Sequence, residues 1–289
     1  VSDTVRAVLL LECYVTVTLL APLLLGRLPL VAQRPVAMLA AWHGFLVTAV
    51  LSLGSGLGLL IHQGMAMQAG GGSPEDAGTA PLAAIPLAYV AAGVLGVLLF
   101  RIVEEGGRVV REARQRAGEV ATLLLASRPY RVAGRDARIV ESDVPLAALS
   151  PATGVILLTT EARARLDDDE LAAVLEHETA HLEQRHALAV RIAQVSRAIL
   201  PALPASQRLA LSTTIAIEFI ADDHAARATR PATVAAALSK LDPDGGLSAL
   251  RADRMRHPRG GHRVALRLLC AVACALPVLP VVIVLLPPA

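Results

Sequence analysis

From Leu171 to Glu183 the chain reads LAAVLEHETAHLE, two histidines four residues apart with a glutamate directly after the first. On a helix the i, i+4 spacing stacks His177 and His181 on one face, about one turn apart, so two ring nitrogens can meet a single tetrahedral ion. The HExxH order leaves the carboxylate of Glu178 beside the open position of a zinc ion held in this way. Leu171, Val174, Leu175 and the small pair Thr179-Ala180 suit a buried helix. Asp167, Asp168, Asp169 and Glu170 give its first turn the negative charge that the helix dipole favours. A surface helix with two unrelated histidines is the competing explanation. The chain's own His and Glu frequencies yield roughly 0.01 such matches by accident, which favours the metal reading.

Of the 289 residues 54% are hydrophobic and the mean hydropathy is +0.56, too apolar for an ordinary soluble protein. Runs at 5–25, 36–61, 82–100 and 268–286 are long enough to cross a hydrocarbon core of about 30 Å. Arg6 in the first run would fit a signal peptide. Its length, Glu12 within it, a second run close behind and the lack of a small-x-small cleavage site favour a retained helix. Arginine placement sets the orientation. Arg27 and Arg34 lie between the first two runs, whereas the loop from Gln63 to Ala80 carries Glu75 and Asp76 and no basic residue. Arg101, Arg108, Arg111, Arg114 and Arg116 follow the third run, so the HExxH helix is expected in the cytosol, at what we expect to be a bacterial plasma membrane.

The net charge of +2 carries little information beside these apolar runs, and the arginines after the third run read as topology signals rather than nucleic-acid contacts. No nucleic-acid partner is expected, and no residue pattern bears on oligomeric state. Cys13, Cys270 and Cys274 all fall in apolar runs, so they read as small hydrophobic residues and no disulfide framework is expected.

Residues 101–125 read as a charged helix continuing from the third run. Between Tyr130 and Thr160 short apolar runs (137–141, 146–149, 155–159) alternate with breakers, the pattern of a small sheet ending in a hairpin. A free edge there would let an extended peptide add as a further strand, although an ordinary structural hairpin fits the same letters. From Ala187 to Leu203 an amphipathic stretch carries Arg191, Gln194 and Arg197 on one face. It suits packing on the soluble domain or lying at the membrane surface.

A catalytic zinc site normally has three protein ligands, so the chain downstream must supply a carboxylate, histidine or cysteine. The segment IAIEFIADDHAAR offers Glu218 and Asp222 at i, i+4 on an apolar helix. One carboxylate can bind the ion while the other accepts an imidazole N–H and fixes its tautomer. Asp223 lies about 100° further round the helix, and His224 is the competing ligand with a different phase from Glu218.

The pair HETAH and Glu218-Phe-Ile-Ala-Asp222 resembles the HExxH and ExxAD motifs of the gluzincin membrane peptidases. That group contains the HtpX-like proteases, the CAAX prenyl proteases and the BlaR/MecR-type antirepressor peptidases. Three apolar runs before the metal segment and one after it resemble the BlaR/MecR type most closely. The 36 residues between His181 and Glu218 are fewer and less hydrophobic than in the HtpX-like proteins. The resemblance implies that His177, His181 and Glu218 are the zinc ligands, Glu178 the general base and Asp222 the partner of a ligand. His257-Pro258, four residues and Arg263 resemble the HPxxxxR segment of these families. By that likeness His257 would donate to the tetrahedral oxyanion and Arg263 would pair with a carboxylate near the metal. A turn leading into the last span, with Arg263 at the membrane interface, fits equally.

The expectation is therefore an α-helical membrane protein with an α+β zincin-like metallopeptidase domain: about four transmembrane helices, a small sheet and the two motif helices. Its divisions fall at 1–100 for the three-helix membrane region, 101–263 for the cytosolic zinc domain and 264–289 for the last span. One Zn2+ per chain, a protein or peptide substrate and the lipid bilayer are the expected cofactor and partners. BlaR/MecR receptors continue into an extracellular sensor, and this sequence ends at Ala289, so antibiotic sensing is not expected of it. Two rival readings come from other classes. A non-hydrolytic zinc transducer or export partner would have no use for Glu178 and would favour four protein ligands. A transporter would lean on Glu12 and His43 inside spans, which differ in depth by about 10 Å at 1.5 Å per residue.

Overall fold

The computed structural model describes residues 2–26, 28–69, 81–132, 135–149, 154–242, 245–257 and 263–287. Three long helices begin the chain: α1 (Asp3–Leu25), α3 (Pro35–Gln68) and α4 (Pro81–Ala126), with the short α2 (Leu28–Gln33) at the first bend. Each of the three is long and apolar enough to cross a membrane. Ser2 caps α1 and Pro35 opens α3 at a position where a missing N–H costs nothing. At Gly64 of α3 an added Cβ would lie 2.3 Å from Cβ of Ala88, so a side chain there would force α3 and α4 apart. Residues 100 and 101 lie within α4, which continues unbroken through the charged segment. Arg101 reaches Glu105 at 3.1 Å and Arg108 reaches the same carboxylate at 2.7 Å, i, i+4 and i, i+3 pairs that suit a helical continuation.

After α4 come β1 (Arg128–Val132), β2 (Arg135–Val140), β3 (Ala147–Leu149) and β4 (Ile156–Thr159), in the sheet order β1-β2-β4-β3. β1 with β2 and β3 with β4 are antiparallel, while β2 and β4 are parallel. The expected hairpin is β3–β4, and β3 is one of the two edge strands, β1 the other. The short α5 (Thr160–Arg165) leads to the HExxH helix α6 (Asp168–Glu183). A full capping box starts α6: the Asp167 carboxylate accepts from Glu170 N at 2.8 Å and the Glu170 carboxylate accepts from Asp167 N at 2.9 Å. Lys240 also bonds Glu170. Leu171, Val174 and Leu175 of α6 pack on Ile156 and Leu158 of the sheet.

Next come α7 (His186–Ile199), α8 (Pro204–Ala228), α9 (Pro231–Leu241) and α10 (Gly246–Arg256). Proline at the first position opens both α8 and α9. Helix α8 packs on the long N-terminal helices as well as on α6 and α9. Leu209, Ala216 and Phe219 share one core with Val17 and Leu25 of α1 and Met38 and Trp42 of α3. The stretch expected on the soluble domain or at the membrane surface forms α7, which packs against α4 and α8. Ile192, Val195 and Ile199 close an apolar cavity of about 490 Å³ whose other walls are α1, α3, α4 and α8. Arg101 ties α4 to this hairpin by donating to the Ala198 carbonyl at 3.1 Å.

The final apolar run departs from the expected single span. It forms α11 (Arg263–Ala275) and α12 (Val278–Leu285), divided at Pro277, whose ring and missing N–H end a helix. Three described helices, not four, therefore have the length to span a membrane. Both short helices pack beside α3: Cys270 Sγ meets Ala37 O at 3.2 Å, and Arg6 of α1 donates to Leu286 O. The three cysteines are free, as expected. Of the two ionisable groups in the long apolar helices, His43 bonds the Leu39 carbonyl of its own helix at 2.9 Å, whereas Glu12 is exposed.

Candidate metal centre

Helix α6 presents His177 and His181 from successive turns, and α8 crosses it to present Glu218 and Asp222 from successive turns of its own. The Nε2 atoms of the two histidines lie 3.0 Å apart. Glu218 Oε2 is 3.4 Å from His177 Nε2, and Oε1 is 3.6 Å from His181 Nε2. Ligand pairs about 2.0–2.1 Å from a tetrahedral ion sit about 3.3 Å from each other, so these three side chains have the chemistry and spacing of a cation site. Among the described residues they are the one His/Cys/Asp/Glu cluster of that kind.

Asp222 is placed behind His177: fully buried, it has Oδ1 3.1 Å from His177 Nδ1 and leaves Nε2 facing the cluster. The competing candidates point elsewhere. Asp223 pairs with Arg254 at 2.8 Å, and His224 faces Glu176 at 3.5 Å. Their phase on α8 carries them off the site.

Arg251 of α10 is a site residue that the motifs do not contain. Its side chain is buried and its guanidinium spans both carboxylates, with Nη2 2.7 Å from Asp222 Oδ1, Nε 2.9 Å from Asp222 Oδ2 and Nη1 2.9 Å from Glu218 Oε2. A signal for it does exist: Arg251 shares the helical phase of Ser248, Ala252 and Met255, all buried, so α10 turns it inward. His186 is the second residue missed, buried at the start of α7 with Nδ1 2.9 Å from Nδ1 of His181.

His257, expected at the oxyanion, is not brought into the site. α10 runs on to Arg256, and this leaves His257 71% exposed at its end, where it bonds Asp253 Oδ1 at 3.0 Å. Arg263 begins α11 and its side chain lies outside the described residues, as do residues 258–262 between the two.

Electrostatics couple the cluster tightly. Burial disfavours a charge on His177, but the carboxylates of Asp222 and Glu218 outweigh it and raise its pKa to about 9. Burial first, then the charge on His177, lower His181 to about 4. Against burial, which raises their carboxyl pKa values, Glu218 is held down by its bond to His177 and by Arg251, and Asp222 by its bonds to Arg251 and His177.

These groups open on a cavity of about 450 Å³ that also takes in Glu178. One wall is the edge of the sheet at Leu146 and Ala147. The far wall is apolar, from Val174 on α6 and Val234, Leu238 and Leu241 on α9. The site thus combines a cation-binding carboxylate and imidazoles, a further carboxylate, an edge strand and an aliphatic recess.

Comparison with curated proteins and with solved structures finds no significant match. The sequence profile of Peptidase family M48 matches residues 139–214, about a quarter of the chain, from β2 through the HExxH helix and into α8, ending short of Glu218. That similarity supports a zincin-type metallopeptidase, a hydrolase of peptide bonds, rather than a BlaR/MecR assignment in particular.

Proposed function

We propose that the chain is a membrane-embedded, zinc-dependent endopeptidase that cuts a cytosolic or membrane-proximal protein or peptide, such as a regulator or a precursor peptide. The observation that carries this reading is the convergence of His177, His181 and Glu218 on one point beside Glu178, in a cavity walled by a strand edge. His177, His181 and Glu218 hold the ion, while Asp222 orients His177. Zinc bound there supplies Lewis acidity, which polarises the scissile carbonyl and acidifies the attacking water. Glu178 takes the proton from that water and passes it to the leaving amine. Arg251 keeps Glu218 and Asp222 ionised and aimed. A substrate laid along β3 adds main-chain hydrogen bonds and turns an aliphatic side chain towards Val174, Val234 and Leu238.

Three membrane-length helices ahead of the metal domain and an apolar segment behind it favour the BlaR/MecR plan within the gluzincin peptidases. The arginines of α4, with Arg34 at the start of α3, support a cytosolic site in a bacterial plasma membrane.

The test is Glu178→Gln in the full chain, with cytosolic peptide termini compared between cells carrying each form. The variant is expected to bind zinc at one ion per chain and to lose cleavage by a factor of 10² or more, about the contribution of a positioned general base. Retained turnover overturns the role of Glu178. A wild-type chain that takes up no zinc overturns the site.

A further inference from the structure

The two histidines of the cluster are backed by acceptors of different kinds. His177 Nδ1 faces the carboxylate of Asp222 at 3.1 Å. Among the described residues no carboxylate pairs with His181 Nδ1; its neighbour is Nδ1 of His186, 2.9 Å away, with the rings edge to face at 4.8 Å and 83°. The backbone arranges this contact. α6 ends at Glu183, and Arg185 adopts φ 52°, the left-handed region that non-glycine residues seldom enter, so the chain reverses within two residues. His186, first residue of α7, is thereby turned beneath α6 and is 3% exposed.

Proton placement follows from the geometry. His181 Nε2 points into the cluster, 3.6 Å from Glu218 and 3.0 Å from His177 Nε2. A cation can take its lone pair only if the proton sits on Nδ1, and an Nδ1–H there has His186 Nδ1 as its acceptor. His186 must then carry its own proton on Nε2, an atom that is buried and, among the described residues, has no hydrogen-bond partner. A buried donor left bare costs free energy, so the arrangement is maintained against a local cost, and the contact with His181 is what it secures.

We propose that His186 is the positioning residue of the second histidine ligand: a neutral imidazole acceptor, five residues after His181, that fixes its tautomer and ring plane for metal binding. This rests on the zinc reading above. It assigns the site one anionic and one neutral backing group. Glu218 and Asp222 already crowd two carboxylates around the ion, balanced by Arg251. A third carboxylate behind His181 would add negative charge to the cluster, whereas an imidazole fixes the ring without adding charge.

The experiment measures zinc affinity by competition with a chromophoric chelator, using the full-length protein in detergent and His186→Leu, His186→Asn and His186→Asp. Leucine fills the space but accepts no hydrogen bond; asparagine offers a neutral acceptor near the Nδ1 position; aspartate offers a charged one. Expected are a loss of about 10-fold to 100-fold for leucine, an affinity near wild type for asparagine, and a gain for aspartate from a more basic ligand. Thermal melting of the zinc-free proteins runs alongside. If leucine and asparagine lower the melting temperature but leave zinc affinity equal to wild type, His186 is only a packing residue and the proposal falls. If leucine does not fold, the order of asparagine and aspartate decides: equal affinities overturn it. A wild-type chain without zinc affinity overturns the metal reading itself, and this inference with it.

Discussion

Arg251 concentrates more of the site's electrostatics than any residue of the two motifs. One guanidinium faces the buried carboxylate of Asp222 and the partly buried one of Glu218, and its planar fork suits the bidentate grip on Asp222. Arg251→Leu is expected to destabilise the zinc-free protein by about 3 kcal/mol, since it leaves carboxylates buried with only His177 for charge balance. Arg251→Lys should recover part of that, through charge without the fork. Chemical denaturation in detergent separates the two, and an unchanged leucine variant would contradict the pairing. HETAH and EFIAD were legible as a site because the helical repeat alone fixes which side chains in each share a face. Arg251 stands 29 residues past Asp222, and its partners are set by how α10 crosses α8, which no local spacing encodes. His186 escaped notice for a related reason: five residues after His181 is the wrong phase on a continuous helix, and only the left-handed turn at Arg185 brings it back.

Helices and strands show the same division between local and packed information. The capping box, the proline starts of α3, α8 and α9, and the alternating segment before α6 could each be read from a few adjacent residues. The last apolar run reads as one helix because hydropathy does not distinguish a continuous helix from two; Pro277 does. Packing between elements turns on residues whose identity gives no hint of it. Gly44 is one: an added Cβ would lie 2.3 Å from the backbone oxygen of Ala273, so α3 and α11 are in close contact there. Gly44→Ala should separate the two helices and lower stability by about 1–3 kcal/mol, seen as an earlier thermal transition. The same substitution at Gly54, where nothing lies within 4 Å, should be harmless or mildly stabilising.

Across the whole molecule, Arg254 joins the metal domain to the membrane helices. It donates to the Ala32 carbonyl at 2.7 Å, pairs with Asp223 at 2.8 Å and lies 4.8 Å above the Phe219 ring. Arg254→Ala is expected to reduce stability by about 2 kcal/mol, through the lost charged hydrogen bonds and the stacked cation, with zinc stoichiometry unchanged; an unfolding curve and a metal assay together check this. Phe219 is wholly buried in the core shared with α1 and α3, and the very next residue towards the N-terminus is Glu218, of the candidate cation cluster. In the peptidase proposed above, a metal site so joined to the bundle would act as a ruler: the bond within its reach would lie at a set height from the bilayer, so for a membrane-tethered substrate the cut would be counted from the membrane rather than read from the flanking letters. Lengthening such a substrate between its anchor and its cleavage segment should move the cut back along the chain by the number of residues added, and mass spectrometry of the product termini would record the shift.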